Sequence, residues 1–530
     1  MRPMPPEPLL PGGKPGSQIN SILPLVRIFC GRGGGFLTRK KPLFYSAMLL
    51  TAVNLALRMA GTVFQVYLSR KIGPEGIGLL QLTMSVGSLA LIAGIGGIRT
   101  AAMYLTAEEL GRKRPWGLRG VLSGCGTYSI LCSLGVGTVL YLFAPKIAES
   151  WIGNGAVAPA LRLFSCFLPI NCLCALMTGF FTGQNRIGTL AVVEVAEQLF
   201  SMTVTLVCLH FWAGSDAGRA CRCVILGSAM GSCLTLLMLT ALTVRQHIPK
   251  GKCTPMGRRV LQSAGPLALA DTAKSGISTL EHMLVPKRLA LAVANPLAVF
   301  GIVTGMVFPV LMFPACILFG LSELLIPEMA RCHCAGEDKR IRYLLHKSLR
   351  AALLYGLLCG GWLFLSADRL CLRLYGNSQA GTLLRWFAPL APMLYCDTIT
   401  DAMTKGLGQQ KWAMAINIFT SALDVALLFF LLPVFGVQGY FASFLITHVI
   451  NFFLSIRRLL EITGEKIEAR YPLCAILCAA GALWACSHID GIAACLGFPA
   501  ILFPLLLLTG TLRRTDLLWF RRLLRPATAR

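Results

Sequence analysis

The sequence predicts an all-α, polytopic membrane protein of about fourteen transmembrane helices, arranged as two pseudo-repeated six-helix lobes followed by two C-terminal helices. Three observations predict it. The 530 residues are 55% hydrophobic and only 14% charged, with a mean hydropathy of +0.68, far more apolar than a soluble chain. From Leu43 onward, apolar stretches long enough to cross a hydrocarbon core of about 30 Å recur with short polar breaks. Lipid satisfies no open backbone group, so such stretches must be helical. Third, the basic residues gather in alternate breaks.

Taken in order, residues 1–42 carry Pro3, Pro5, Pro6, Pro8, Pro11 and Pro15, then Gly31 and Gly33 to Gly35. That composition forms no packed element and predicts a flexible cytoplasmic arm. Its prolines interrupt any signal-peptide core, and Arg39, Lys40 and Lys41 anchor the chain before the first long apolar run. The first lobe, 43–246, holds six spans near 44–68, 79–105, 118–143, 157–182, 188–212 and 221–244. The second, 247–458, holds six near 260–285, 297–328, 348–366, 382–404, 412–432 and 438–456. Residues 459–530 supply two more, near 472–487 and 493–512, and a basic tail.

An even number of spans puts both termini on one side. With those termini cytoplasmic, 35 of the 49 Lys and Arg fall in inside segments and 10 in outside ones, as the positive-inside rule requires. The net charge of +26 is therefore topological and directed at anionic lipid, not at nucleic acid. The expected location is the cytoplasmic membrane.

A faint repeat accompanies the layout: Gly183, Gln184, Asn185 and Arg186 after span four resemble Gly408, Gln409, Gln410 and Lys411 after span ten. The 21 cysteines are scattered through apolar stretches without disulfide spacing. Cys332, His333 and Cys334 are too close in sequence, and too few, for a tetrahedral zinc site. Hydrolase and ATPase motifs are absent, and no outside loop is long enough for a catalytic domain. The sequence thus argues against an enzyme and calls for no cofactor or metal.

Ionisable groups at bilayer depth are functional candidates because each costs several kcal/mol unless it faces protein, water or a partner. Arg58 in span one and Arg99 in span two are of the type that grips phosphate. Arg99 snorkelling to the boundary, and Arg58 pairing with a buried carboxylate, are the structural alternatives. In span seven Asp271, Lys274, Ser278 and Glu281 share one broad helical face. Glu281 with His282 is a candidate site for a coupling cation or proton, the alternative being a neutralising Lys274–Glu281 pair. Glu194 and Glu197 in span five share a face beside Gln198 and form a second acidic candidate. Asp397, Asp401 and Asp424 are weaker, since each can bond to backbone or water.

The stretch Ala56 to Glu109, ALRMAGTVFQVYLSRKIGPEGIGLLQLTMSVGSLALIAGIGGIRTAAMYLTAEE, resembles the opening of stage V sporulation protein B and related polysaccharide exporters. STLEHMLVPKRL and GMVFPVLMFPACILFGLSELLIPE, between Gly265 and Glu328, are similar to spans seven and eight of that family. The resemblance implies membership of the multidrug, oligosaccharidyl-lipid and polysaccharide flippase superfamily. It implies alternating access that moves undecaprenyl-pyrophosphate-linked sugar across the membrane for envelope, peptidoglycan or spore-cortex synthesis. Membrane lipids, the polyprenyl-linked sugar and envelope-synthesis enzymes are the implied partners, and a Na+ gradient, a H+ gradient or the membrane potential the implied drive. Arg58 matches a span-one arginine of these flippases, and Glu281 an acidic residue before the Pro286, Lys287, Arg288 turn. Gln65 stands where the family commonly has a second arginine, and Arg99 where relatives are uncharged. The expected substrate-binding set is therefore Arg58, Arg99, Lys274 and Gln65, and the expected ion-coupling set Glu281, Asp271, Glu194 and Glu197. Two rivals accompany this reading: a cation-coupled drug exporter, which would favour an acidic, aromatic cavity, and a non-transporting scaffold or enzyme of polyprenyl-sugar metabolism.

Overall fold

The computed structural model describes residues 43–512 apart from 113, 185, 214–215, 247–248, 250–255, 466–469 and 490. The expected arm over 1–42 and the tail from Arg513 lie outside the described residues. The described residues from Leu49 onward form one compact unit.

The described chain is helical. The long elements are α1 (Leu43–Ile95), α2 (Ile98–Gly111), α3 (Gly117–Ile147), α4 (Ala158–Gly183), α5 (Ile187–Cys208), α6 (Ala217–Arg245) and α7 (Gly257–Leu289). Then come α8 (Pro296–Ile302), a π-turn over Val303–Val307, α9 (Phe308–Met312), α10 (Cys316–Cys334), α11 (Asp338–Tyr375), α12 (Ser378–Phe387) and α13 (Ala391–Gly406). α14 (Gln410–Thr463), α15 (Arg470–Ser487) and α16 (Ile492–Leu508) complete the chain. Among the described residues eight helices are long and apolar enough to cross a membrane, or nine if Pro296–Met312 and Cys316–Cys334, bent by 66°, form one span.

That number falls below the expected fourteen for physical reasons. Two of the eight, Leu55–Gly111 and Gln410–Thr463, are 57 and 54 residues long, about 80 Å of helix at 1.5 Å per residue, far more than one crossing needs. Both break at a glycine: Gly73 has φ 75° and Gly436 φ 55°, a left-handed conformation that costs glycine little and other residues much. At Gly436 the two arms meet, Ser443 and Thr447 reaching Asp424, so Gln410–Thr463 is a helical hairpin without a loop. α7 misses the apolarity test because it carries Asp271, Lys274, Glu281 and His282, and the last apolar helix, Ala493–Leu508, is short.

Near Gly73 the first and second halves of the chain meet through small residues. A Cβ at Gly78 would lie 2.3 Å from the Leu297 carbonyl oxygen, and one at Gly301 2.1 Å from that of Pro74. Only glycine lets α1 and α8 approach so closely. Gln65 and Ser69 donate to the Gly305 carbonyl at 3.4 Å each, within the π-turn, where the looser ladder leaves an acceptor free. Lys287 Nζ donates to Ser150 O at 2.6 Å, and Arg70 reaches the carbonyls of Arg373 and Leu374 at the end of α11. At the other end of α7, Arg259 spans Glu108 and Glu109 of α2 at 2.6 and 3.2 Å.

α15 and α16 pack on each other and on α11, where Phe498 fills the space that a side chain at Gly361 would take. The two repeat-like turns do different work. Gly183 is helical and presses on the Met103 carbonyl, whereas Gly408 turns the chain with φ +78° and nothing near it; Asn185 lies outside the described residues.

Candidate functional site

A cavity of ≈ 540 Å³ opens between α1, α7, the α8–α9 segment, α13 and α14. Its chemistry is acidic. Glu281, Asp397 and Asp424 line it together with His282 and His448, and no Lys or Arg does. Its aromatic wall includes Phe308, Tyr440 and Phe444, and His448 stacks on Phe444 with ring centres 3.8 Å apart.

Asp424 is the most enclosed of the three carboxylates, 9% exposed. It projects from the first arm of α14, and its neighbours come from the second arm: Ser443 Oγ donates to Asp424 Oδ1 at 2.6 Å and Thr447 Oγ1 at 3.3 Å. The bend at Gly436 folds the helix back so that these residues face one another. Glu281, on α7, lines the same cavity and interacts directly with Asp424. Two carboxyl groups that interact directly are better accommodated with a proton or a cation between them than as two bare charges. Elsewhere in the cavity, Asn451 Nδ2 donates to Asp397 Oδ2 at 3.0 Å, while Asp397 Oδ1 is buried with no hydrogen-bond partner in the protein.

Of the expected coupling residues only Glu281 lines this cavity. Asp271 is exposed on α7. Glu194 is exposed on α5 and interacts electrostatically with Arg99, Glu197 and Glu323, so it belongs to a mixed-charge group elsewhere. Glu197 accepts from Thr235 Oγ1 of α6 at 2.7 Å. Of the expected substrate residues, Arg58 is exposed and lies over the Phe319 ring at 4.6 Å. Arg99 and Lys274 are exposed and Gln65 is committed to the Gly305 carbonyl. No Lys274–Glu281 pair closes; the partner of Glu281 is Asp424. Cys332 is buried while His333 and Cys334 are exposed, and no group of three His, Cys, Asp or Glu among the described residues is arranged to hold a metal ion.

Asp397 and Asp424, weak candidates in the sequence, are thus central in the structure. A signal for them existed. Asn417, Thr420, Ser421 and Asp424 recur at helical spacing, as do Tyr440, Ser443, Thr447, His448 and Asn451, each set a polar stripe on an otherwise apolar helix.

Comparison with known proteins shows the family and the fold of the chain. Residues 44–333 match a family described as polysaccharide biosynthesis protein. The chain is 25% identical over 416 residues to stage V sporulation protein B of Bacillus subtilis (strain 168), covering 76% of this chain and 80% of the relative. It is 20% identical over 420 residues to lipid II flippase MurJ of the same organism, covering 73% and 76%. The fold matches a structure of lipid II flippase MurJ in an inward closed conformation with TM-score 0.64 and 14% identity, over 90% of this chain and all of that one. It also matches an inward-facing multidrug resistance MATE family transporter of the MOP superfamily with TM-score 0.61 and 13% identity, over 79% of this chain and all of that one.

Proposed function

Because the chain belongs to the polysaccharide biosynthesis protein family, we propose that it is a flippase that carries undecaprenyl-pyrophosphate-linked sugar across the cytoplasmic membrane, both termini cytoplasmic, in envelope or spore-cortex synthesis. The observation that carries the reading is the joint likeness, in sequence and in fold, to a protein named as a lipid II flippase. In this reading the two halves of the chain rock about their common seam, Arg58 meets the pyrophosphate, and the Glu281–Asp424 pair takes up Na+ or H+. Charge on that pair then favours one arrangement of the halves over the other, and a membrane potential adds about 2.3 kcal/mol per charge moved at 100 mV.

The acidic, aromatic cavity favours a second reading, export of cationic drugs, since carboxylates without a basic partner attract cations and repel phosphate. One experiment separates the two. Liposomes carrying a fluorescent undecaprenyl-pyrophosphate sugar are expected to show transbilayer movement with the wild type and little with Arg58→Ala at matched insertion. Movement of a cationic dye but not of the sugar lipid would establish drug export instead. Movement of neither, with active controls, would leave a scaffold or enzyme of polyprenyl-sugar metabolism.

A further inference from the structure

A second, smaller pocket adjoins the acidic cavity and has no role in the reading above. It measures ≈ 220 Å³ and lies between the second arm of α1 and the middle of α7. Gln81 and His282 line both spaces, so the two meet there. Its other walls are hydroxyls, with Met84 the one apolar residue. Exposure falls along it: Ser88 and Ser278 are exposed, whereas Ser85, Ser275 and Thr279 are 8%, 8% and 4% exposed.

At the inner end Ser85 Oγ lies 2.6 Å from His282 Nδ1 and 3.0 Å from the Gln81 carbonyl, and Thr279 donates to Ser85 O at 3.2 Å. Ser85 has one proton to give. If it donates to the Gln81 carbonyl, the imidazole donates from Nδ1; if it donates to the imidazole, Nδ1 is bare. The bond therefore joins two helices from different halves of the chain and has two proton arrangements. The titratable groups sharing the cavity with His282 are Glu281 on its own helix, Asp397 on α13, and Asp424, Tyr440 and His448 on α14; the Phe300 ring packs edge-on at 5.9 Å.

We propose that this hydroxyl-lined pocket is the entry path by which a monovalent cation, H+ or Na+, reaches the Glu281–Asp424 pair from the mouth at Ser88 and Ser278, with the Ser85–His282 hydrogen bond as its neck. The proposal rests on the coupling role given to that pair. Hydroxyl groups both donate and accept, so they hold a water chain in either orientation, and a polar pocket of this size keeps water where an apolar one stays dry. Carrying no fixed charge, they offer a passing cation ligands without trapping it. The path ends where the negative charge is.

The test measures rate and equilibrium separately on the purified full-length protein. Proton uptake after a pH jump without Na+, and binding of radioactive Na+ at fixed pH, identify which ion the wild type takes. Ser88→Leu with Ser278→Leu is expected to slow that uptake at least tenfold at unchanged stoichiometry, and Ser88→Thr with Ser278→Thr to keep the wild-type rate. An unslowed leucine variant, or an equally slowed threonine variant, overturns the path and leaves the acidic pair standing. No uptake of either ion by the wild type overturns the pair and the path together. If the leucine variant fails to fold, Ser278→Cys blocked after folding with a methanethiosulfonate reagent, against equally treated wild type, makes the same test.

Discussion

Two clusters of carboxylates among the described residues are built on opposite principles. Glu194, exposed on α5, interacts with Arg99 and with its neighbour Glu197, which accepts from Thr235. Glu281, Asp397 and Asp424 sit in a half-enclosed cavity with hydroxyl, amide and imidazole groups and no basic side chain. The first cluster already balances part of its charge. The second has no lysine or arginine in its lining to do the same, so a proton or a cation would have to balance it.

The largest expected effect breaks the second cluster. Asp424→Asn keeps the shape and the contacts of Ser443 and Thr447 but removes the charge, and should lower ion-driven transport at least tenfold in proteoliposomes. Glu194→Gln should change it less than twofold, because Arg99 and Glu197 remain; equal losses would erase the distinction between the clusters.

A second, smaller effect concerns the seam that both clusters depend on. Gly301→Ala places a methyl group against the Pro74 carbonyl and should cost about 1–3 kcal/mol, as overpacking does, lowering the detergent melting temperature. Gly188→Ala on α5, with open space around it, should leave it unchanged or slightly raised.

The smallest belongs to the far end of α7. Arg259→Gln removes ion pairs to Glu108 and Glu109 from an arginine one-third exposed, worth about 1 kcal/mol or less. It should shift the labelling of a reporter at that end more than it shifts stability.

What the sequence revealed follows from the range of the signal. Apolar runs and punctuating glycines are local, so the helices were legible, including the turns at Gly73 and Gly436. Glu281 was legible because Asp271, Lys274 and Ser278 repeat along its face and because the stretch resembles a family. Asp424 was not, since its partners Ser443 and Thr447 lie 19 and 23 residues away and meet it only after the helix folds back. Arg58, Arg99 and Lys274 illustrate the converse. Residue type suggested one phosphate-binding group, yet none of them lines the enclosed cavity.

The loopless hairpin at Gly436 has a consequence for how the protein is made. Asp424 would enter the bilayer alone if its helix were inserted alone, at about 2.5–3.5 kcal/mol for a central aspartate. Its hydroxyl partners are on the return arm of the same bent helix, with no loop between. Inserted as one unit, α14 carries with it the groups that solvate its own carboxylate, and the acid can be lodged in the membrane before α7 has docked against it. A helix that carries a carboxylate into lipid is, as a pair of arms, prepared for it during synthesis.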